Sequence, residues 1–171
     1  LQIKFNTYTM HLEDLPLDIG YASEKITFKD AKEQEHIIGG QNGKTQLLIT
    51  TPAIDQAFIE ELKEIEKILP QGGEYEVTAS LIVANERHQN PALEKFNFFV
   101  DSEDTFGDFY GTRLKGEPYN AEFTKAIILI SKDGAIFHDE FLQDIDDKFN
   151  IETLLRKISA AQICYTGKGC H

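Results

Sequence analysis

The sequence predicts one α/β domain, a mixed sheet with helices on both faces, and three observations predict it. Residues 45–51 (TQLLITT), 75–84 (YEVTASLIVA) and 125–131 (KAIILIS) are compact runs without polar alternation, the pattern of strands covered on both sides. Between the first two, Phe58, Ile59, Leu62, Ile65, Ile68 and Leu69 recur at spacings of three and four among Glu and Lys, which makes residues 55–69 an amphipathic helix. After the third, Lys132-Asp133-Gly134 turns the chain tightly into residues 135–141, a hairpin signal. With 171 residues, 41% hydrophobic and 27% charged, the chain fits one core of ordinary size. Such a core buries roughly 70% of the unfolded surface and needs neither metal nor disulfide staples.

The remaining elements follow in order. Residues 2–12 alternate through Ile3, Phe5, Thr7 and Thr9, which suits an N-terminal edge hairpin. A turn-rich stretch at 15–20 precedes a short strand at 25–28, and Ile37-Ile38 runs into a glycine-rich turn at 39–43. Residues 45–51 form the central strand, which Pro52 ends, and Asp55 is placed to cap the helix that follows. Beyond the second buried strand come a polar segment at 85–90, Pro91, a short apolar run at 96–100 and a short helix at 103–110. A helix at 151–163 carrying Leu154, Leu155 and Ile158 closes the domain. The expected organisation is a domain over 1–163 and a flexible, cysteine-bearing tail over 164–171. Strand, helix, strand, short helix, strand, hairpin strand, helix is the order of a thioredoxin-like fold.

Charge narrows the partners. A net charge of −12, from 29 acidic and 17 basic residues, repels phosphate backbones and anionic headgroups, so neither nucleic acid nor a membrane surface is an expected partner. Twelve Phe and six Tyr supply core material, which argues against disorder. No run approaches the roughly 18 consecutive apolar residues of a membrane span. The chain opens at Leu1 without a leader pattern, which fits a removed leader and a trimmed chain alike and leaves cytoplasm and periplasm both open. Both cysteines, Cys164 and Cys170, fall in the last eight residues, so there is no disulfide framework from which to read a compartment.

Four stretches together resemble the thiol peroxidase branch of the peroxiredoxins. Residues 47–55 (LLITTPAID) are similar to that family's strand and loop, which passes through a proline, a small residue, an aliphatic residue and an aspartate. Residues 106–111 (FGDFYG) resemble its short helix ending in Tyr-Gly. Residues 125–137 (KAIILISKDGAIF) resemble its strand and Asp-Gly hairpin, and 141–155 (FLQDIDDKFNIETLL) the approach to its last helix. Their order and spacing carry the likeness over most of residues 3–158. The resemblance implies a peroxiredoxin-type thioredoxin fold with an N-terminal β-hairpin, a homodimer paired through its helical face, and no cofactor.

The departures concern the chemistry. The family's loop reads aspartate, threonine, two residues, then the peroxide-reducing cysteine. Here Asp55 keeps the aspartate, Gln56 replaces the threonine and Ile59 the cysteine. Isoleucine has no lone pair with which to attack an O–O bond. A reactive thiol also needs a cation to lower its pKa. The family places an arginine six or eight residues before Tyr-Gly, where this chain has Asp104 and Ser102. The helix that carries the resolving cysteine is shortened to the polar segment 85–95, which has no cysteine. The resemblance therefore implies a degenerate, non-catalytic module whose loop from Pro52 to Ile59 binds a small molecule or a protein. The alternative is a thiol-dependent peroxidase or oxidoreductase whose redox pair is Cys164 and Cys170.

That pair has three readings: a structural disulfide or two free thiols, a relocated redox pair beside Lys168, and a metal or haem site with His171. Haem attachment wants two residues between the cysteines, not five, and Cys164, Cys170 and His171 leave zinc short of four ligands. His11, His36, His88 and His138 lack ligand spacing and read as surface residues. Asp139, Glu140, Asp144, Asp146 and Asp147 lack the glycine and spacing of a calcium loop, and residues 39–43 lack the lysine of a phosphate-binding loop. Asp101, Glu103 and Asp104 are close enough in sequence for a carboxylate pair, with nothing to place them in a pocket.

Overall fold

The structure is a computed structural model and describes residues 1–163. The tail with Cys164, Cys170 and His171 lies outside the described residues. β1 (Gln2–Phe5) and β2 (Tyr8–Leu12) form the expected N-terminal hairpin, and β8 (Leu114–Lys115) pairs with β2. β3 (Ile26–Lys29) and β4 (Glu35–Ile38) make a second hairpin. The main sheet contains β5 (Thr45–Thr50), β6 (Val77–Val83), β7 (Phe96–Val100), β9 (Ala126–Ile130) and β10 (Ile136–Phe141) in the order β10-β9-β5-β6-β7. β5 is central, parallel to β6 and antiparallel to β9, and all six of its residues are buried, as its lack of polar alternation requires.

Two elements differ from the sequence reading. The 96–100 run is a full edge strand, parallel to β6 from Ala79↔Phe96 to Val83↔Val100. Five residues interrupted by Asn97 carry little period of their own, so pairing with β6 decides their state. The run beginning at Tyr75 starts later as a strand, because Gly73–Tyr75 is a 3-10 turn. Residues 84–95, between β6 and β7, contain no helix, in keeping with their polar composition.

α1 (Gln56–Ile68) and α3 (Ile151–Ile163) cover one face of the sheet. Phe58, Leu62 and Ile65 of α1 and Leu154, Ile158 and Ala161 of α3 pack there against Leu47, Ile49, Leu81, Ile127 and Leu129. On the other face, Leu48, Ile82, Phe99, Ile128 and Ile130 lie under α2 (Thr105–Tyr110) and the β3–β4 hairpin. A six-residue helix cannot span that face, and the hairpin completes the cover, with Phe28 stacked on Phe99 at 4.9 Å. The two covers are tied where Tyr110 Oη donates to the Glu24 carbonyl (2.6 Å), beside Gly39. A side chain on Gly39, whose φ is +77°, would collide with both groups. Among the described residues no helix is long and apolar enough to cross a membrane.

Candidate functional site

Strands β5, β6 and β7 all end at one edge of the sheet, the edge at which open α/β sheets hold ligands. Past β5, Pro52 ends the ladder, and the Thr51 hydroxyl donates to the Ala53 carbonyl (2.8 Å), which tightens the loop. Asp55 is the N-cap of α1, as the sequence suggests, with Oδ1 accepting from the Phe58 amide at 2.8 Å.

A cavity of about 160 Å³ opens beside this loop, lined by Thr51, Asp55, Phe58, Glu61, Tyr119 and Lys125 among others. Of the four loop positions singled out from the sequence, only Asp55 lines it. Pro52 is buried, and Gln56 is exposed and hydrogen-bonded to Glu60 (2.8 Å). Ile59, half-buried on α1, is not a lining residue.

At the cavity wall lies a group the sequence reading missed. Lys125, at the start of β9, donates to Glu61 Oε1 on α1 and to the Asp147 carbonyl, both at 2.6 Å. Its ammonium also lies over the rings of Phe58 and Phe149, 5.6 and 5.1 Å from their centroids. Glu61 Oε2 accepts from the Phe149 amide at 2.5 Å. Both side chains are buried, with 7% and 4% exposure. In place of the absent arginine two lysines line this cavity: Lys125, from a strand distant in sequence and already held by a carboxylate and a carbonyl, and the exposed Lys148. The signal available was Glu61 on the apolar face of the helix and Lys125 opening an apolar strand. Two charges on surfaces that must be buried imply partners, although sequence does not say that they partner each other.

A second polar group stands past β6. The buried carboxylate of Glu122 accepts from Arg87 Nη2 (3.1 Å) and Asn85, and its Oε2 is 2.5 Å from His88 Nε2. Burial acts to raise the Glu122 carboxyl, but His88, Asn85 and Arg87 together hold it below the ordinary carboxylate range. His88, expected at the surface, is only 13% exposed, a correction that depends on Glu122 arriving from 34 residues away. His11 is exposed, His36 is half-buried against Asp30 (2.8 Å), and His138 is half-buried, its pKa lowered by burial and by Lys157.

The expected carboxylate pair does not form. Asp101 is buried and caps α2, accepting from the Phe106 and Gly107 amides at 3.0 and 2.9 Å, and burial raises its pKa against those hydrogen bonds. Ser102, Glu103 and Asp104 are exposed. Asp104 lies 3.5 Å from Arg113, which also pairs with Asp108 at 2.8 Å.

No protein-family model matches the chain, and no curated protein matches it. Solved structures do. A peroxiredoxin-like protein from Aquifex aeolicus superposes with a TM-score of 0.78 at 17% identity, over 94% of this chain and 96% of that one. A thiol peroxidase from Chromobacterium violaceum gives 0.75 at 14% identity over 94% and 97%, and Mycobacterium tuberculosis AhpC gives 0.67 at 13% over 90% and 99%. The fold is therefore the thioredoxin-like fold in its peroxiredoxin form. At these identities the likeness concerns architecture, and activity has to be argued from the site.

Proposed function

We propose that this chain is a thiol-peroxidase-like domain that works without peroxidatic chemistry, as a module binding a small molecule or peptide at the loop from Pro52 to Ile59. The observation that carries the reading is the state of that loop. Position 59, in the first turn of α1, is an apolar residue that does not line the cavity, and the one buried lysine beside the cavity among the described residues, Lys125, is already held by Glu61 and the Asp147 carbonyl, which leaves exposed Lys148 as its other lining cation. Peroxide reduction at this loop needs a thiolate, and the position that would supply it holds a side chain without a lone pair. The resemblance to thiol peroxidases also supports a homodimer, which sedimentation of the full chain would register as twice the chain mass.

The rival reading assigns peroxide reduction to Cys164 and Cys170. For that pair to act at the loop from Pro52 to Ile59, the chain has to return along β5, because α3 ends at the opposite end of that strand: Gln162 accepts from Thr45 Oγ1 (3.0 Å) and donates to the Tyr75 carbonyl (2.8 Å). Thr45 and Thr50 are separated by the length of the strand, about 17 Å at 3.3 Å per residue. The test is hydrogen peroxide consumption with thioredoxin or a dithiol, comparing the natural chain with a Cys164→Ser, Cys170→Ser double variant. No turnover in either is expected. Turnover that disappears in the variant overturns the binding-module reading in favour of a relocated thiol centre.

A further inference from the structure

Between β2 and β3 the chain runs through residues 13–21 without regular structure and reaches β10, an edge strand of the main sheet. The segment is held in place. Leu17 packs on the core beneath it, the Gly20 amide donates to the Ile136 carbonyl (2.7 Å), and the Ile136 amide donates to the Tyr21 carbonyl (2.8 Å). Three of its large apolar side chains nevertheless face solvent: Leu15 is 87%, Ile19 60% and Tyr21 61% exposed. With Phe141 of β10 they line one groove of about 740 Å³. Exposed apolar residues scattered singly are ordinary, whereas a fixed set gathered around one groove marks an interaction surface.

The charged side chains of the groove are Asp18 and Asp139, and among the described residues no lysine, arginine or histidine lines it. Asp139 lies two residues before Phe141 on β10, so the two share a face of the strand. Neither carboxylate has a hydrogen-bond donor or a cation as partner among the described residues. Asp139 is half-buried, and burial together with the charge of Asp18 pushes its carboxyl above the ordinary range. The groove thus combines apolar walls with two like charges that nothing in the chain offsets.

We infer that this groove docks a segment of a partner protein in which lysine or arginine stands between large apolar side chains. Charge complementarity selects this occupant. A wholly apolar segment would cover Asp18 and Asp139 and leave two desolvated charges without partners, which is costly. A segment carrying Asp or Glu would add to the repulsion already present. A second copy of this chain brings a net charge of −12 and the same two carboxylates, and an anionic lipid surface is repelled for the same reason. A basic and apolar segment satisfies both halves of the groove: its apolar side chains bury Leu15, Ile19 and Tyr21, and its cations pair with Asp18 and Asp139. The segment from Leu15 to Tyr21 is already held in position, so docking costs little ordering on this side. The groove shares no lining residue with the cavity beside the loop from Pro52 to Ile59, so this inference stands apart from the proposal made for that loop.

The test is amide NMR of the full chain during titration with a capped peptide, acetyl-Gly-Leu-Lys-Phe-Lys-Leu-Gly-amide. Saturable shifts at Ile19, Tyr21, Asp139 and Phe141 are expected, with a Kd below about 1 mM. A control peptide with Glu in place of Lys, and a second with Ser in place of Leu and Phe, should leave those signals unmoved. An Asp18→Asn, Asp139→Asn double variant should weaken the interaction at least about tenfold, and so should a Leu15→Ser, Ile19→Ser double variant, each checked for an otherwise unchanged spectrum. The inference fails if the basic peptide gives no saturable shift at the groove, if the acidic peptide binds there as well, or if both double variants bind unchanged. Sedimentation of the natural chain and the Leu15→Ser, Ile19→Ser variant adds a further check: a dimer present in the first and lost in the second would assign the groove to a second copy and overturn the inference.

Discussion

Lys125→Met tests the pair beside the loop most directly. In the folded chain the Lys125 ammonium contacts Glu61 Oε1 and the Asp147 carbonyl at 2.6 Å each, with both charged side chains under one-tenth exposed. Removing the lysine leaves a buried carboxylate whose remaining partner is the Phe149 amide. Breaking a buried pair on one side costs about 3–5 kcal/mol, because the abandoned charge stays desolvated. For a chain of this size that is a drop in Tm of about 6–20 °C. A Glu61→Gln, Lys125→Met double variant removes both charges, keeps an acceptor for Phe149 and retains the apolar stem against Phe58 and Phe149. It should recover at least about 2 kcal/mol relative to Lys125→Met. Urea unfolding read by circular dichroism measures both. A single variant that loses less than about 1 kcal/mol, or a double variant no more stable than the single, refutes the claim that Glu61 neutralises this cation in a dry site.

Two further outcomes are expected. Ile59→Cys, made with Cys164→Ser and Cys170→Ser, restores a thiol to the first turn of α1 and should give an unactivated one, titrating close to about 8.5 in the pH dependence of iodoacetamide alkylation. A midpoint below about 7 would show that Lys125 or Lys148, the two lysines lining the cavity, exerts its field there. Glu122, held below the ordinary carboxylate range in the folded state, contributes stability that is complete above its unfolded pKa of about 4.3 and is lost as pH falls through the lower folded value. Glu122→Gln should therefore destabilise the chain at pH 7 and differ progressively less from the natural protein as unfolding is measured toward pH 3, whereas a gap independent of pH would mean that the charge is not what His88 and Arg87 recognise.

The sequence by itself determined the frame, because burial on both faces writes itself into a strand as an unbroken apolar run, and burial on one face writes itself into a helix as a 3.6-residue period. Thus β5, β6, β9, α1 and α3, the Asp55 cap and the isoleucine at position 59 could all be read from residues a few places apart. What only the tertiary structure decided were the encounters between distant segments. Glu61 and Lys125 are 64 residues apart, His88 and Glu122 are 34 apart, and the strand state of Phe96–Val100 depends on its ladder with β6. Ser80 and Asn97 likewise stand side by side because strand register aligns residues from two strands, and a shift of one residue would turn one of them to the opposite face. Local periodicity records how deeply each segment is buried, whereas the partners a buried charge or hydroxyl finds are set by three-dimensional packing that no single stretch of sequence contains.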